Sequence, residues 1–146
     1  MKLHEFRYSP GYSDMRGARH EERLAKNENG VWTVVCSDRE HFDAPTVVTV
    51  YEVSSEAEAA FEAFLETGKV SALADRRRSD VFCTDYSPWE FTIDYEDSSD
   101  KRKPAYFRIE EYKKYSKKDY ALIAALRDRF RALRGKKISD FEERND

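Results

Sequence analysis

One stretch, residues 46–68, narrows the kind of fold open to this chain more than any other. Its first part, Thr46-Val47-Val48-Thr49-Val50-Tyr51-Glu52-Val53, is dense in β-branched and aromatic residues, the types that suit a pleated, partly buried surface. Its second part sets Ala57, Ala60, Phe61, Phe64 and Leu65 at helical spacing, with Glu56, Glu62 and Glu66 off that stripe, and so reads as an amphipathic helix. Ser55 and Glu58 have the spacing of a capping box, in which each side chain satisfies a free N–H at the helix start. Gly68 is placed to end the helix in a left-handed turn. A strand that runs straight into a one-sided helix needs a sheet beneath the helix. The rest of the chain has to supply it.

It does so in short pieces. Residues 3–8 read as a strand with His4, Phe6 and Tyr8 on one side, closed by Ser9-Pro10-Gly11 and a loop holding Tyr12 and Met15. Residues 18–25 are a polar strand, suited to an edge or a face open to water. Asn29-Gly30 turns the chain into Val31-Trp32-Thr33-Val34-Val35-Cys36. Farther on, Val70, Leu73 and Ala74 suit a helical turn, and Val81 and Phe82 suit packing beneath a polar loop. Residues 89–95 alternate cleanly, with Trp89, Phe91, Ile93 and Tyr95 on one face, and residues 103–110 return as a hairpin partner. The expected register sets Trp89 opposite Ile109, Phe91 opposite Phe107, and Glu90 opposite Arg108; a shift of one residue would turn an apolar face outward. Ser116 and Asp119 then cap a helix with the stripe Leu122, Ile123, Leu126, Phe130 and Leu133, ended by Gly135.

Four strands, a helix, two strands and a helix lack the regular alternation of a parallel sheet. The expected class is α+β: a twisted antiparallel sheet of about six strands with both helices on one face. One domain spans residues 1–137, and 138–146 read as a polar tail from which Ile138 and Phe141 could dock.

Composition bounds the role. The 146 residues include nine Tyr, nine Phe and two Trp, too aromatic for a disordered chain. No apolar run approaches the roughly 18 residues that span a bilayer, and the first residues carry no secretory h-region. The reading is a cytoplasmic protein without a membrane role. Cys36 and Cys83 are too few for a disulfide framework and read as reduced core residues. The net charge of −3 hides a division. Residues 1–100 hold 11 Lys/Arg against 21 Asp/Glu, net −10, and residues 101–137 hold 14 against 4, net +10.

Phe6-Arg7-Tyr8-Ser9-Pro10-Gly11-Tyr12, Glu52-Val53-Ser54-Ser55-Glu56, and Trp89 to Tyr95 with the turn Glu96-Asp97-Ser98-Ser99 together resemble a set of small, uncharacterised bacterial α+β domains common in gut-dwelling Firmicutes. The likeness covers most of the chain. Arg76-Arg77-Arg78 and the very basic last helix depart from it. It implies a fold and a bacterial origin and no particular activity.

A search for chemistry gives little. His4, His20 and His41 are scattered, with His4 and His20 able to face each other if the first two strands pair, and neither cysteine has a C-x-x-C partner. There is no G-x-S-x-G elbow and no phosphate-binding glycine loop. Glu90 and Asp94 share a strand face, with Arg108 a natural partner. No cofactor, metal ligand or catalytic residue is marked. An enzyme would need a site assembled from distant positions. Nucleic-acid binding has the basic segment 101–137 behind it, where Lys101-Arg102-Lys103, Lys113, Lys114, Tyr115, Lys117 and Lys118 mix cations with aromatics and Arg127, Arg129, Arg131 and Arg134 extend them. Those arginines are expected to point in several directions around the helix. The favoured reading is a non-catalytic module that binds another protein, of the immunity or inhibitor kind by class analogy. Its candidate surface is Lys113, Lys114, Tyr115, Lys117, Lys118, Arg127, Arg131 and Arg134. An exposed cluster of Tyr, Trp and Arg would favour that reading, and the oligomeric state is left open.

Overall fold

A computed structural model describes residues 2–11, 17–80, 88–96 and 105–143. Expectations resting on Tyr12, Met15, Val81, Phe82, Cys83 and Lys101-Arg102-Lys103 lie outside these residues. The fold is α+β, with one antiparallel sheet. Its strands are β1 (Leu3–Ser9), β2 (Arg19–Lys26), β3 (Trp32–Arg39), β4 (Thr46–Glu52), β5 (Glu90–Tyr95), β6 (Tyr106–Glu110) and β7 (Lys137–Glu143). The helices are α1 (Ser55–Thr67), a 3-10 helix at Val70–Asp75, and α2 (Lys117–Arg131). Across the sheet the strands run β6-β5-β1-β2-β3-β4-β7.

Seven strands replace the expected six because the supposed tail is β7, paired with the outer side of β4. All seven of its residues are exposed. A strand on an edge with no helix beneath it stays polar, and that polarity resembles a tail. Of the two settings expected for β2 the edge is wrong: it lies between β1 and β3, in the middle of the sheet, with one face open to water at Glu21 and Arg23 and Glu22 and Leu24 fully buried on the other. In β1 an irregularity between Leu3 and Glu5 breaks the alternation. Leu3 is buried with Phe6 and Tyr8, and His4 is exposed, so His4 and His20 do not face each other; His20 sits opposite Asp38.

The strand–helix unit forms with its caps displaced. Ser54, one residue earlier than expected, accepts the Ala57 N–H at 3.1 Å, and Glu58 is buried instead of reaching back to the cap. Gly68 keeps a helical φ of −76°, and Lys69 takes the left-handed turn at φ 52°. The need for glycine here is space, since a Cβ would lie 2.9 Å from the Phe64 carbonyl oxygen. The 89–110 hairpin keeps the expected parity but slides by two residues, pairing Phe91 with Ile109 and Ile93 with Phe107. Parity is what the apolar faces dictate. The slide sets Phe91 against Ile109, both buried to within 1% of full burial. Arg108 still reaches Glu90 diagonally, at 2.8 Å.

Both helices lie on the same face. The Phe6 ring meets Phe61 of α1 at 5.0 Å and Phe130 of α2 at 4.8 Å between centroids. On that face, register carries one row through Ile109, Phe91, Tyr8, Glu22, Cys36 and Thr49. A second row runs through Phe107, Ile93, Phe6, Leu24, Val34 and Tyr51. On the opposite face of β6, β5, β1 and β2, a basic row of Arg108, Arg7 and Arg23 lies beside acids, with Arg7 2.6 Å and Arg23 3.7 Å from Glu5.

The connection that matters most for the site is α2. It joins β6 to β7, and these are the two edges of the sheet. Six strand spacings of about 4.8 Å make roughly 29 Å to cross. A 15-residue helix is about 22 Å long at 1.5 Å per residue. The helix must therefore cross the sheet as a strap, and its last turns are carried over the middle strands.

Candidate binding groove along the second helix

The start of α2 is firmly set. Ser116 and Asp119 form the expected capping box, at 3.1 and 3.0 Å. Arg76 holds both oxygens of the same carboxylate, at 2.9 and 3.1 Å. The guanidinium and the Ser116 N–H pull the Asp119 pKa down to about 2. The connection before it is pinned to the 3-10 region: Lys113 Nζ donates to the Ala74 carbonyl at 2.7 Å, and the Lys114 N–H donates to the Arg77 carbonyl at 2.7 Å. The Tyr115 hydroxyl donates to the Glu110 carbonyl at 2.7 Å.

From there Tyr120, Ala124, Arg127 and Arg131 follow at intervals of four, three and four, which places them along one edge of the helix, and Arg134 follows three residues past its end. Between this edge and the sheet lies a hollow of about 240 Å³. Tyr8, Phe91 and Trp89 line it from the sheet, Tyr120 and Ala124 from the helix, and Arg127 at its rim. Its aromatic walls brace one another. Tyr8 stacks on Phe91 at 4.6 Å and 14°, Trp89 stacks on Tyr115 at 6.1 Å, and Tyr115 meets Tyr120 edge-on at 5.5 Å. Tyr120 is 55% exposed, so its ring is open to a ligand.

Farther along the same edge the chemistry turns ionic. The Arg131 guanidinium lies 5.3 Å from the Tyr8 ring centroid and 3.7 Å from Glu22 Oε2. Arg134 lies over Tyr51 at 5.4 Å and closes an ion pair with Glu22 Oε1. His20 Nε2 is 3.0 Å from Glu22 Oε2, and His20 Nδ1 is 3.5 Å from Asp38. Cys36 is the register neighbour of Glu22. Burial pushes its thiol up to about 11, which keeps it protonated and a poor nucleophile at neutral pH.

A separate acidic pair sits on α1. Glu62 accepts the Leu3 N–H at 3.0 Å. Burial, together with a hydrogen bond to Glu62 and that carboxylate's charge, pushes Glu58 up to about 7.

The candidate residues named from sequence are therefore divided. The arginines point in several directions, as expected: Arg127 lines the hollow and Arg131 stands over Tyr8 one turn on, whereas Arg129 lies 4.4 Å over the Phe64 ring and Arg134, past the end of α2, turns to Glu22 and Tyr51. Tyr115 braces the wall. Lys113 and Lys114 fasten the preceding connection, Lys114 also lying 3.9 Å from Asp80. Lys117 and Lys118 are exposed in the first turn. The reading by sequence missed Tyr8, Trp89, Tyr120 and Glu22. The spacing of Tyr120 with Arg127 and Arg131 along α2 was an available signal for Tyr120, and the other three have none.

Among the described residues no group of three or more His, Cys, Asp or Glu could hold a metal ion, and no helix is long and apolar enough to cross a membrane. Comparison with known proteins returns no match among protein families, curated proteins or solved structures.

Proposed function

We propose that this chain is a non-catalytic, cytoplasmic protein-binding module, of the small bacterial α+β kind its segments resemble, that takes an anchor side chain of its partner into the groove along α2. The observation that carries this is the open cluster of Trp89, Tyr120 and Arg127 around a hollow of about 240 Å³. Trp, Tyr and Arg are the types that dominate binding energy at protein interfaces. Pockets for small molecules usually run from roughly 300 to 1,000 Å³, so this one is scaled to a single side chain. The nucleic-acid alternative loses support from the same geometry. Arg134 is turned toward Glu22, and the Lys113 ammonium is engaged by a carbonyl. Fewer cations are then left to neutralise phosphates.

A photo-crosslinking amino acid at position 120, in the native host cell, should join the chain to a specific protein, and Arg127→Ala or Trp89→Ala should weaken the product. The same probe at Glu28, an exposed turn residue, should not capture it. Crosslinks to RNA from position 120, lost when Lys117 and Lys118 are changed to Gln, would refute the reading.

A further inference from the structure

We infer that the groove reads a carboxylate beside the anchor, so that the partner segment carries Asp or Glu next to a large apolar or aromatic residue. This rests on the module reading above and adds the chemistry of the partner. Aromatic walls alone would suit a cationic ligand, because ring faces attract ammonium groups. Here two guanidiniums stand one helical turn apart at the polar end of those walls, Arg127 at the rim and Arg131 above Tyr8. No carboxylate lines the hollow among the described residues. A cation entering it would meet like charge, whereas an anion would meet two forks of N–H donors.

The two arginines are also free enough to bind. Their side chains are 42% and 47% exposed. Among the described residues, the acid paired with Arg127 is its chain neighbour Asp128, at 3.7 Å and itself 75% exposed, a pairing that water weakens. Glu22, the acid near Arg131, is already neutralised at closer range by Arg134. A cation–π contact with Tyr8, 5.3 Å from the ring centroid, holds the Arg131 guanidinium in place, which lowers the ordering cost of binding. Arg134 and Glu22 act here as positioning residues.

The test is a selection of random twelve-residue peptides, displayed with their C-termini fused so that any carboxylate recovered belongs to a side chain. The whole chain is the bait. The wild-type protein should enrich peptides with Trp, Tyr, Phe or Leu next to Asp or Glu. Arg127→Glu, at a half-exposed position that leaves Glu22 and Arg134 untouched and sets a carboxylate one turn from Arg131, should lose the preference for Asp or Glu beside the same anchors. Tyr120→Ala should weaken the wild-type consensus peptide at least about tenfold by calorimetry, with the circular dichroism spectrum unchanged. Retention of the acidic motif by Arg127→Glu, or a wild-type motif with an anchor and no acid, overturns the carboxylate inference and leaves the module standing. No enrichment by the wild-type chain overturns both.

Discussion

Arg134 closes an ion pair on Glu22, a side chain with no exposed surface at the centre of the sheet. The two residues are 112 positions apart, and the strap path of α2 is what brings them together. A buried charge is tolerable only with a close partner, and removing one member of such a pair usually costs about 3–5 kcal/mol. Arg134→Ala should therefore lower the unfolding free energy by roughly that amount, measured by urea denaturation. Replacing both residues with Leu should recover most of the loss. A double variant no more stable than Arg134→Ala would show that the pair is not the reason for the cost.

Glu58 gives a pH dependence of definite sign. Its pKa is raised in the fold to about 7, above the roughly 4.3 of a free glutamate. Between those values the native state binds more protons than the unfolded chain, so this group's contribution falls as pH rises from about 4.5 to about 7, and levels off above. Glu58→Gln keeps the shape without the charge. Its unfolding free energy should be flatter across that window and higher than wild type at pH 8. A wild-type excess at pH 8 would contradict the assignment.

The hairpin register is open to direct measurement. Side-chain NOEs should join Phe91 to Ile109 and Ile93 to Phe107, the pairs seen here. Strong contacts of Phe91 with Phe107 as its direct opposite would restore the register first expected. Ile109→Ala should cost about 2–5 kcal/mol, as truncation of a fully buried aliphatic residue does, read from the denaturant midpoint.

Gly135 tests the strap's landing point. A Cβ there would lie 2.6 Å from the Glu52 carbonyl oxygen, the same atom that accepts the Gly135 N–H at 2.9 Å. Backbone on both sides leaves nothing flexible to give way. Gly135→Ala should cost on the order of 1–3 kcal/mol and loosen β7, seen as faster amide exchange over residues 137–143. Unchanged exchange would mean that the landing point can shift freely.

Local rules carried the sequence reading a long way. The alternation over 90–95 and the stripe Leu122 to Phe130 became a strand and a helix face turned to the core, because each depends on a period that a short segment carries alone; the helix ends at Arg131, four residues before the expected Gly135, and leaves Leu133 buried beyond it. The failures all involve partners distant in sequence. Nothing near Glu22 announces that an arginine 112 positions later will pair with it, so an edge setting for β2 stood beside the open face that it has. β7 read as a tail because its uncovered edge demands polar residues. The hairpin's parity was readable and its slide was not, since both registers keep the apolar faces inward. The groove was only half legible. Arg127 and Arg131 stood out as charges, but Tyr8 and Trp89 become their neighbours only once the strap is laid over β1 and β5.

That strap also imposes an order in time. β1 to β4 pair as neighbours in sequence and form the middle of the sheet, so a growing chain can assemble them before residue 117 exists. Glu22, in the middle row of the face that α2 covers, is then in place before Arg134, its partner in the finished fold, has been added to the chain. The strand order thus leaves the closing of this buried pair to the last part of the chain.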